Sequence, residues 1–544
     1  MVFGANQAIS SSPGKARMSV RRLRLFATHK RNCLVRVLYG SLLIIISILL
    51  MVLDPLARIT EYSLTMKEGR IAYEAFREPH YKIYLDAYVF NYTNLPQYIN
   101  GSQPKIKVHE IGPFSFRELR TDENMRVDHE RGTLTMNPKL RLEFVRERSV
   151  AHYKDVNITV PNIVLISFTT YLADNMGYFT NVGAYYSMRS LGSKLVMEMT
   201  ADELMFGYKE PLVTLANQIL PNWIDFSKTG IVDRFYADKH SEVELDLKNA
   251  SRKYAINLWD GRPGLEQQGY SETSSNNCNR VRDTYEGMMM TPNMATNQTL
   301  KIFRSYGCRV FPFDFTEEVD FWGMRAYRYD MQKTAFNKIS DYACPCTKNC
   351  LPDGFIDISG CYYGFPIALS KPHFQDVDPA QKAKFEGMTP DLTKSLADFY
   401  FEPTIGVPLK AMMRFQINAA VRTAPGNPIA NALKDTVLPY IRIELYCDEP
   451  PMYIYIQMYL VLVVGPPVLI MVIMTLLISG IYLGFRGFYD YFRTDNHLVL
   501  TNVEPSTKRR SAVSLDSVEN QNGEEMKEIA LLLHIIENSS TRDP

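Results

Sequence analysis

The chain has 544 residues and a formal net charge of +1, so no charge excess marks it for nucleic acid. Hydrophobic residues make up 46%, an ordinary share for a folded chain, so any membrane character must be local. No G-x-S-x-G elbow, H-E-x-x-H helix or G-x-x-x-x-G-K-[ST] loop occurs, and the sequence offers no positive case for an enzyme or a cofactor.

Residues 1–36 form a basic arm, with Lys15, Arg17, Arg21, Arg22, Arg24, Lys30, Arg31 and Arg36 and no Asp or Glu. The uncharged run 37–53 follows, closed by Asp54-Pro55. At about 1.5 Å of rise per residue it lies at the short end of what crosses a hydrocarbon core. It is too long for a signal-peptide core and has no small-residue cleavage site after it, so 37–56 is read as a first transmembrane helix. A second, 458–485, is uncharged and contains Gly465-Pro466-Pro467, which is expected to set where that helix starts or kinks. The basic arm places the N-terminus in the cytoplasm, and two spans return the tail, 486–544, to the same side. Residues 57–457 then face outward.

Within that outer region, 81–90, 105–108, 134–144, 243–247 and 441–445 carry β-branched and aromatic residues with partial two-residue alternation, and read as strands. Gly112-Pro113, Pro352-Asp353-Gly354 and Pro425-Gly426 punctuate them. Residues 163–220 are richer in Met, Leu and Ala and read as a helical insertion. The run 163–172 is too short for a third span. The domain is therefore α+β, an antiparallel β domain with a helical island.

Five sequons, at Asn91, Asn100, Asn157, Asn249 and Asn297, all fall on the outer side and are expected to be glycosylated; one at Asn538 lies in the tail. Cys278, Cys308, Cys344, Cys346, Cys350 and Cys361 cluster there too. An even cluster in an oxidising compartment reads as disulfides of open connectivity, with a metal site at Cys344, Cys346 and Cys350 as the rival. Cys33 and Cys447 remain; Cys33, beside the first span, is a candidate for acylation. The nine His are scattered, and His373, between Pro372 and Phe374, is read as a hydrogen-bonded structural residue. In the tail, Glu528, Leu532 and Leu533 have the acidic-dileucine spacing that adaptor proteins read for endosomal sorting, on a stretch that reads equally as a short amphipathic helix.

Several short blocks recur in a fixed order. They are Lys67-Glu68-Gly69-Arg70-Ile71-Ala72, Tyr88-Val89-Phe90-Asn91-Tyr92-Thr93-Asn94, Glu110-Ile111-Gly112-Pro113-Phe114 and Glu203-Leu204-Met205-Phe206-Gly207-Tyr208-Lys209-Glu210-Pro211. Further on come Gly323-Met324-Arg325-Ala326-Tyr327-Arg328-Tyr329, Cys344-Pro345-Cys346, and Gly360-Cys361-Tyr362-Tyr363-Gly364-Phe365-Pro366 running on to Pro372-His373-Phe374. Glu402-Pro403-Thr404-Ile405-Gly406 and Arg414-Phe415-Gln416-Ile417-Asn418 close the series. In these blocks the chain resembles the class B scavenger receptors, with their lysosomal integral membrane and insect sensory neuron membrane relatives.

The resemblance implies an antiparallel β-barrel ectodomain with an apical helical bundle near 160–220 and an internal hydrophobic tunnel. It implies the pairs Cys278–Cys344, Cys308–Cys361 and Cys346–Cys350. It also implies capture of lipids, fatty acids, sterols or lipoprotein particles and passage of lipid to the membrane, with Lys194, and less so Lys209 beside Glu210, as apical cations for an anionic lipid. The family's Gly-Thr-Asp-Gly and Phe-Pro-Pro region reads instead Tyr285-Glu286-Gly287-Met288-Met289-Met290-Thr291-Pro292-Asn293-Met294, and a family Trp is Phe76. Three readings stand at this point. One is a lipid or particle receptor of the plasma membrane, and a second is a lysosomal or endosomal membrane protein that carries a protein cargo. The third is a two-span ion-channel subunit, for which 459–485 offers only Thr475 and Ser479 as pore-lining polar groups.

Overall fold

The computed structural model describes residues 13–219, 223–226, 228–236, 241–346 and 348–501, with side chains described between 27 and 493. Glu528, Leu532, Leu533 and the sequon at Asn538 lie outside the described residues. Helices over Ala27–Ser63 and Met452–Arg493 are long and apolar enough to cross a membrane. The chain divides into two units, Met1–Met51 with Val472–Pro544, and Val52–Met471.

In the first unit the two terminal helices meet through glycine. A Cβ on Gly40 would stand 2.6 Å from the Gly480 carbonyl oxygen and 2.7 Å from the Gly484 nitrogen, so the backbones touch. Apolar solvent supplies no hydrophobic drive between helices, and small residues that permit close approach take its place. Ser47 Oγ donates across the crossing to the Ile473 carbonyl at 3.2 Å, and Arg36 pairs with Asp490 at 2.9 Å. Cys33 lies in the same contact, 1% exposed, and a Cβ on Gly487 would meet its carbonyl oxygen at 2.9 Å. Cys33, the candidate for acylation, is thus a buried free thiol at this helix contact.

The second unit opens where Asp54, at φ 38°, ends the first long helix and caps the helix Pro55–Ser63 through a bond from the Ala57 N–H. Its strands are β1 (Ile83–Tyr92), β2 (Ile106–Asp128), β3 (Thr133–Phe144), β4 (Asn157–Pro161), β5 (Val196–Thr200), β6 (Val243–Asp246), β7 (Ile256–Trp259) and β8 (Leu300–Arg304). There follow β9 (Arg309–Phe321), β10 (Met324–Met331), β11 (Phe355–Asp357), β12 (Ile367–Ser370), β13 (Phe385–Glu386), β14 (Ala397–Glu402), β15 (Val407–Val421) and β16 (Thr436–Cys447). Among the described residues fourteen of these make one sheet, with the path β7-β6-β3-β2-β1-β16-β15-β14-β10-β9-β8; all its pairs are antiparallel except the short β13–β2. The fold is thus mixed α+β around a large antiparallel sheet.

Its middle is covered on both faces. Every residue of β16 but Leu445 is buried, including Arg442 and Glu444. The helix Ile163–Asn175 lies on β15, with the Thr170 hydroxyl donating to the Ala420 carbonyl at 3.4 Å. That helix is buried through most of its length, as a short apolar run with no membrane to cross should be. Its N-cap, Asn162, accepts from the Leu165 N–H at 3.1 Å and from the Tyr208 hydroxyl at 3.1 Å. The helical island is real but interrupted: β5, paired with β4 from just ahead of the island, separates helices Ile163–Asn175 and Tyr178–Ser190 from Ala201–Phe206 and Pro211–Ile219. Gly112-Pro113 does not end a strand as expected. It sits within β2 opposite the register shift at Ala87/Val89, where a Cβ on Gly112 would meet the Ala87 carbonyl oxygen at 2.8 Å.

Candidate functional site

Three cavities lie in a row inside the second unit. The first, about 120 Å³, is walled by the helix Pro55–Ser63, by Phe76, by Met288 and Met289, and by Ile454, Met458 and Leu462 of the segment leading into the last apolar helix. It is almost wholly apolar. The second, about 80 Å³, shares Tyr81 and Met288 with the first and adds Met412 and Met413. The third, about 120 Å³, shares Glu118, Arg120, Arg304 and Leu445 with the second and reaches Tyr236 and Tyr306. Among the residues shared by the first and second cavities is a methionine, Met288, whose unbranched stem repacks easily.

Met288 and Met289, noted above only as part of a departure from the family pattern, therefore form part of the cavity wall, and Met290 anchors them. The family block at 402–406 holds the stretch there. Glu402 is buried, and its carboxylate accepts from the Thr404 N–H at 3.1 Å and the Ile405 N–H at 2.8 Å, shaping the turn. Gly406 follows at φ 78°, and the Met290 N–H donates to its carbonyl at 2.8 Å.

Charges collect at the boundary of the second and third cavities. Arg120 bridges Asp122 at 3.0 Å and Glu286 at 2.8 Å, and the Tyr236 hydroxyl donates to Glu118 at 2.5 Å. Burial, reinforced by the nearby Glu286 carboxylate, pushes Asp122 up to about 6 against the pull of Arg120. Burial likewise raises Glu118. For a carboxyl raised in the folded state, the stabilisation from protonation is full below its unfolded pKa and is lost as pH rises through the folded value. Melting curves at pH 5 and 7.5 should accordingly show a gain in Tm on acidification that is smaller in Asp122→Asn; an unchanged pH dependence in the variant would contradict this origin.

A second network joins three distant blocks. His373 Nε2 lies 2.8 Å from Glu110 Oε2, and Arg442 Nε donates to Glu110 Oε1 at 2.5 Å. Arg442 also pairs with Glu444, which Arg414 approaches at 3.4 Å, and its guanidinium lies over the Tyr88 ring at 3.7 Å. Burial alone would raise Glu110, but the bonds from His373 and Arg442 outweigh it and hold the carboxyl below its ordinary range. His373 thus serves the fold, and its own N–H donates to Gln416 at 2.8 Å.

The remaining sequence-derived residues are dispersed. Disulfides join Cys278 to Cys344, Cys308 to Cys361 and Cys346 to Cys350, with Cα–Cα separations of 5.2, 6.1 and 5.7 Å. Cys447 is a buried thiol whose pKa burial pushes up to about 12. Among the described residues no group of His, Cys, Asp and Glu is placed to hold a metal ion. Asn100, Asn157, Asn249 and Asn297 are exposed. Asn91 is half-buried, and its side-chain oxygen accepts from the Thr159 N–H at 2.8 Å. Lys194 and Lys209 are both exposed and belong to none of the three cavities. Glu210, beside Lys209, is buried and turned to Asn162 and Ser193.

A CD36 family model matches residues 38–491, and the chain belongs to that family of non-enzymatic receptors. It is 25% identical over 417 residues to scavenger receptor class B member 1 of Bos taurus, covering 74% of this chain and 79% of the relative. It is 26% identical over 399 residues to lysosome membrane protein 2 of Homo sapiens, covering 72% and 80%. To protein peste of Drosophila melanogaster it is 23% identical over 411 residues, covering 73% and 71%. Membership in a receptor family leaves the ion-channel reading without support.

Proposed function

We propose that this membrane receptor binds acyl lipids or lipid-bearing particles by a glycosylated ectodomain, residues 57–457, and passes lipid through the interior of a barrel formed by the large sheet. Both termini are cytoplasmic, and the plasma membrane is the site of action. The observation that carries this reading is the row of three cavities with shared walls, ending in an apolar chamber framed by the segment that enters the last apolar helix. Burying a methylene contributes about 0.8 kcal/mol, so a sixteen-carbon chain offers on the order of 12 kcal/mol gross. Ordering and desolvation take back much of that, which leaves an affinity weak enough for release. The cavities are narrow and divided, so a passing chain must displace Met288 and the side chains around Leu445. Lipid extraction and mass spectrometry of the purified protein should find bound acyl lipid; a protein that carries none and shields no fluorescent fatty acid from quenching would refute the proposal.

One observation favours the second reading, a lysosomal or endosomal receptor for a protein cargo. On the helix Tyr178–Ser190, Tyr178, Phe179 and Tyr186 are 58%, 87% and 65% exposed, and such a cluster of aromatics marks a docking face.

A further inference from the structure

Outside the row just described, a cavity of about 650 Å³ lies against the disulfide-bonded loops. Its lining is polar and includes Arg309, Lys338, Gln268, the stretch from Ala343 to Cys346, Lys348 and Cys350. Arg309 is 4% exposed. Among the described residues no carboxylate pairs with it, and its guanidinium has one hydrogen-bond partner, the Tyr342 carbonyl. Its Nε is buried and has no partner among the described residues. Burial pushes this guanidinium down to about 10.

An ion held in the interior without a counter-charge costs several kcal/mol. The other buried arginine networks of this protein avoid that cost: Arg120 and Arg442 each hold two carboxylates. Arg309 holds no carboxylate among the described residues, and it lines a space large enough for a ligand. Asp357 also borders that space, but its Oδ1 is taken by the Ser359 N–H at 2.8 Å. Lys338 and Lys348 add positive charge to the wall, and Lys348 Nζ donates to the Asp174 carbonyl at 3.1 Å.

Covalent links fix the geometry. Cys308, the residue before Arg309, is bridged to Cys361, and Cys344, two residues beyond the accepting Tyr342 carbonyl, is bridged to Cys278. The cation and the opposing loop are thereby pinned, which lowers the ordering cost of binding.

We propose that this cavity is an anion site in which the Arg309 guanidinium binds a phosphate group, with Lys338 as a second cation. Planar guanidinium forks match phosphate oxygens in paired, charge-assisted hydrogen bonds. The group is borne either by a soluble phosphate or by a lipid headgroup, and the chemistry of recognition is the same.

The full chain in detergent micelles is melted in inorganic phosphate, and separately in dioctanoyl phosphatidic acid, against chloride of equal ionic strength. At ten times the half-saturating concentration, Tm should rise by about 2 °C, the mass-action effect of a ligand that binds the folded state. A rise with inorganic phosphate assigns a soluble source, and a rise with the phosphatidic acid alone assigns a headgroup. Arg309→Met, which removes the buried charge, should fold and lose the rise. Lys338→Glu, at an exposed position, should raise the half-saturating concentration about threefold, and decides the matter if the first variant does not fold. No rise with either probe, or a rise of wild-type size and midpoint in the variants, overturns the proposal.

Discussion

Replacing Met288 with Trp should cut delivery of a fluorescent fatty acid to cells about tenfold while leaving the amount of protein at the surface unchanged. Met288 borders both the first and the second cavity and is only half-buried, so a larger side chain has open space to enter without displacing the sheet. The indole would fill the division through which a chain must pass. A barrier higher by about 1.4 kcal/mol already slows passage tenfold. Met288→Leu, close in volume, should transfer normally. The readout is uptake per surface copy, with particle binding measured beside it. Wild-type uptake by the Trp variant at normal surface level would mean that lipid travels elsewhere.

Arg442→Ala should be the most damaging single change in the sheet, destabilising the fold by about 3–5 kcal/mol. The side chain is 9% exposed, lies on the Tyr88 ring, and neutralises Glu110 and Glu444 together. Its loss leaves the half-buried Glu110 with His373 and the buried Glu444 with Arg414 as the remaining ion-pair partners among the described residues. Arg442→Lys keeps the charge but not the fork, and should fall between. Adding Glu110→Gln and Glu444→Gln to the Ala variant removes the stranded charge and should recover part of the loss. Thermal melts of the purified proteins and surface abundance in cells report the order. An Ala variant as stable as wild type would show that the network contributes nothing.

The terminal helices were legible because a bilayer tolerates no compromise: a long uncharged run is costly in water and at home in hydrocarbon. The helical island was legible from its change of composition. The sheet was only half legible. Strand signals at 134–144 and 243–247 coincide closely with β3 and β6, whose alternation survives because one face is less covered. Strand β15 left no pattern, since its C-terminal half is buried on both faces and carries Gln416 and Asn418 inward; two-sided burial erases alternation. The cavity wall at Met288 and Met289 was visible only as an oddity, two of three successive methionines in a loop. The Glu110–His373–Arg442 cluster spans 332 positions and has no local signature.

The segment entering the last apolar helix contains a π-helical turn, Leu460–Val464, directly before Gly465-Pro466-Pro467 opens the longer helix. A regular helix advances each residue by about 100°, and one wide turn rotates everything after it by that amount relative to an unbroken helix. Ile454 and Met458 can therefore face the protein interior while the residues beyond the wide turn are set in a new phase for a different neighbour. One stretch of chain thus meets two unlike surroundings, packed protein before the offset and a long helix of exposed apolar side chains after it, without the sequence having to satisfy both on a single stripe.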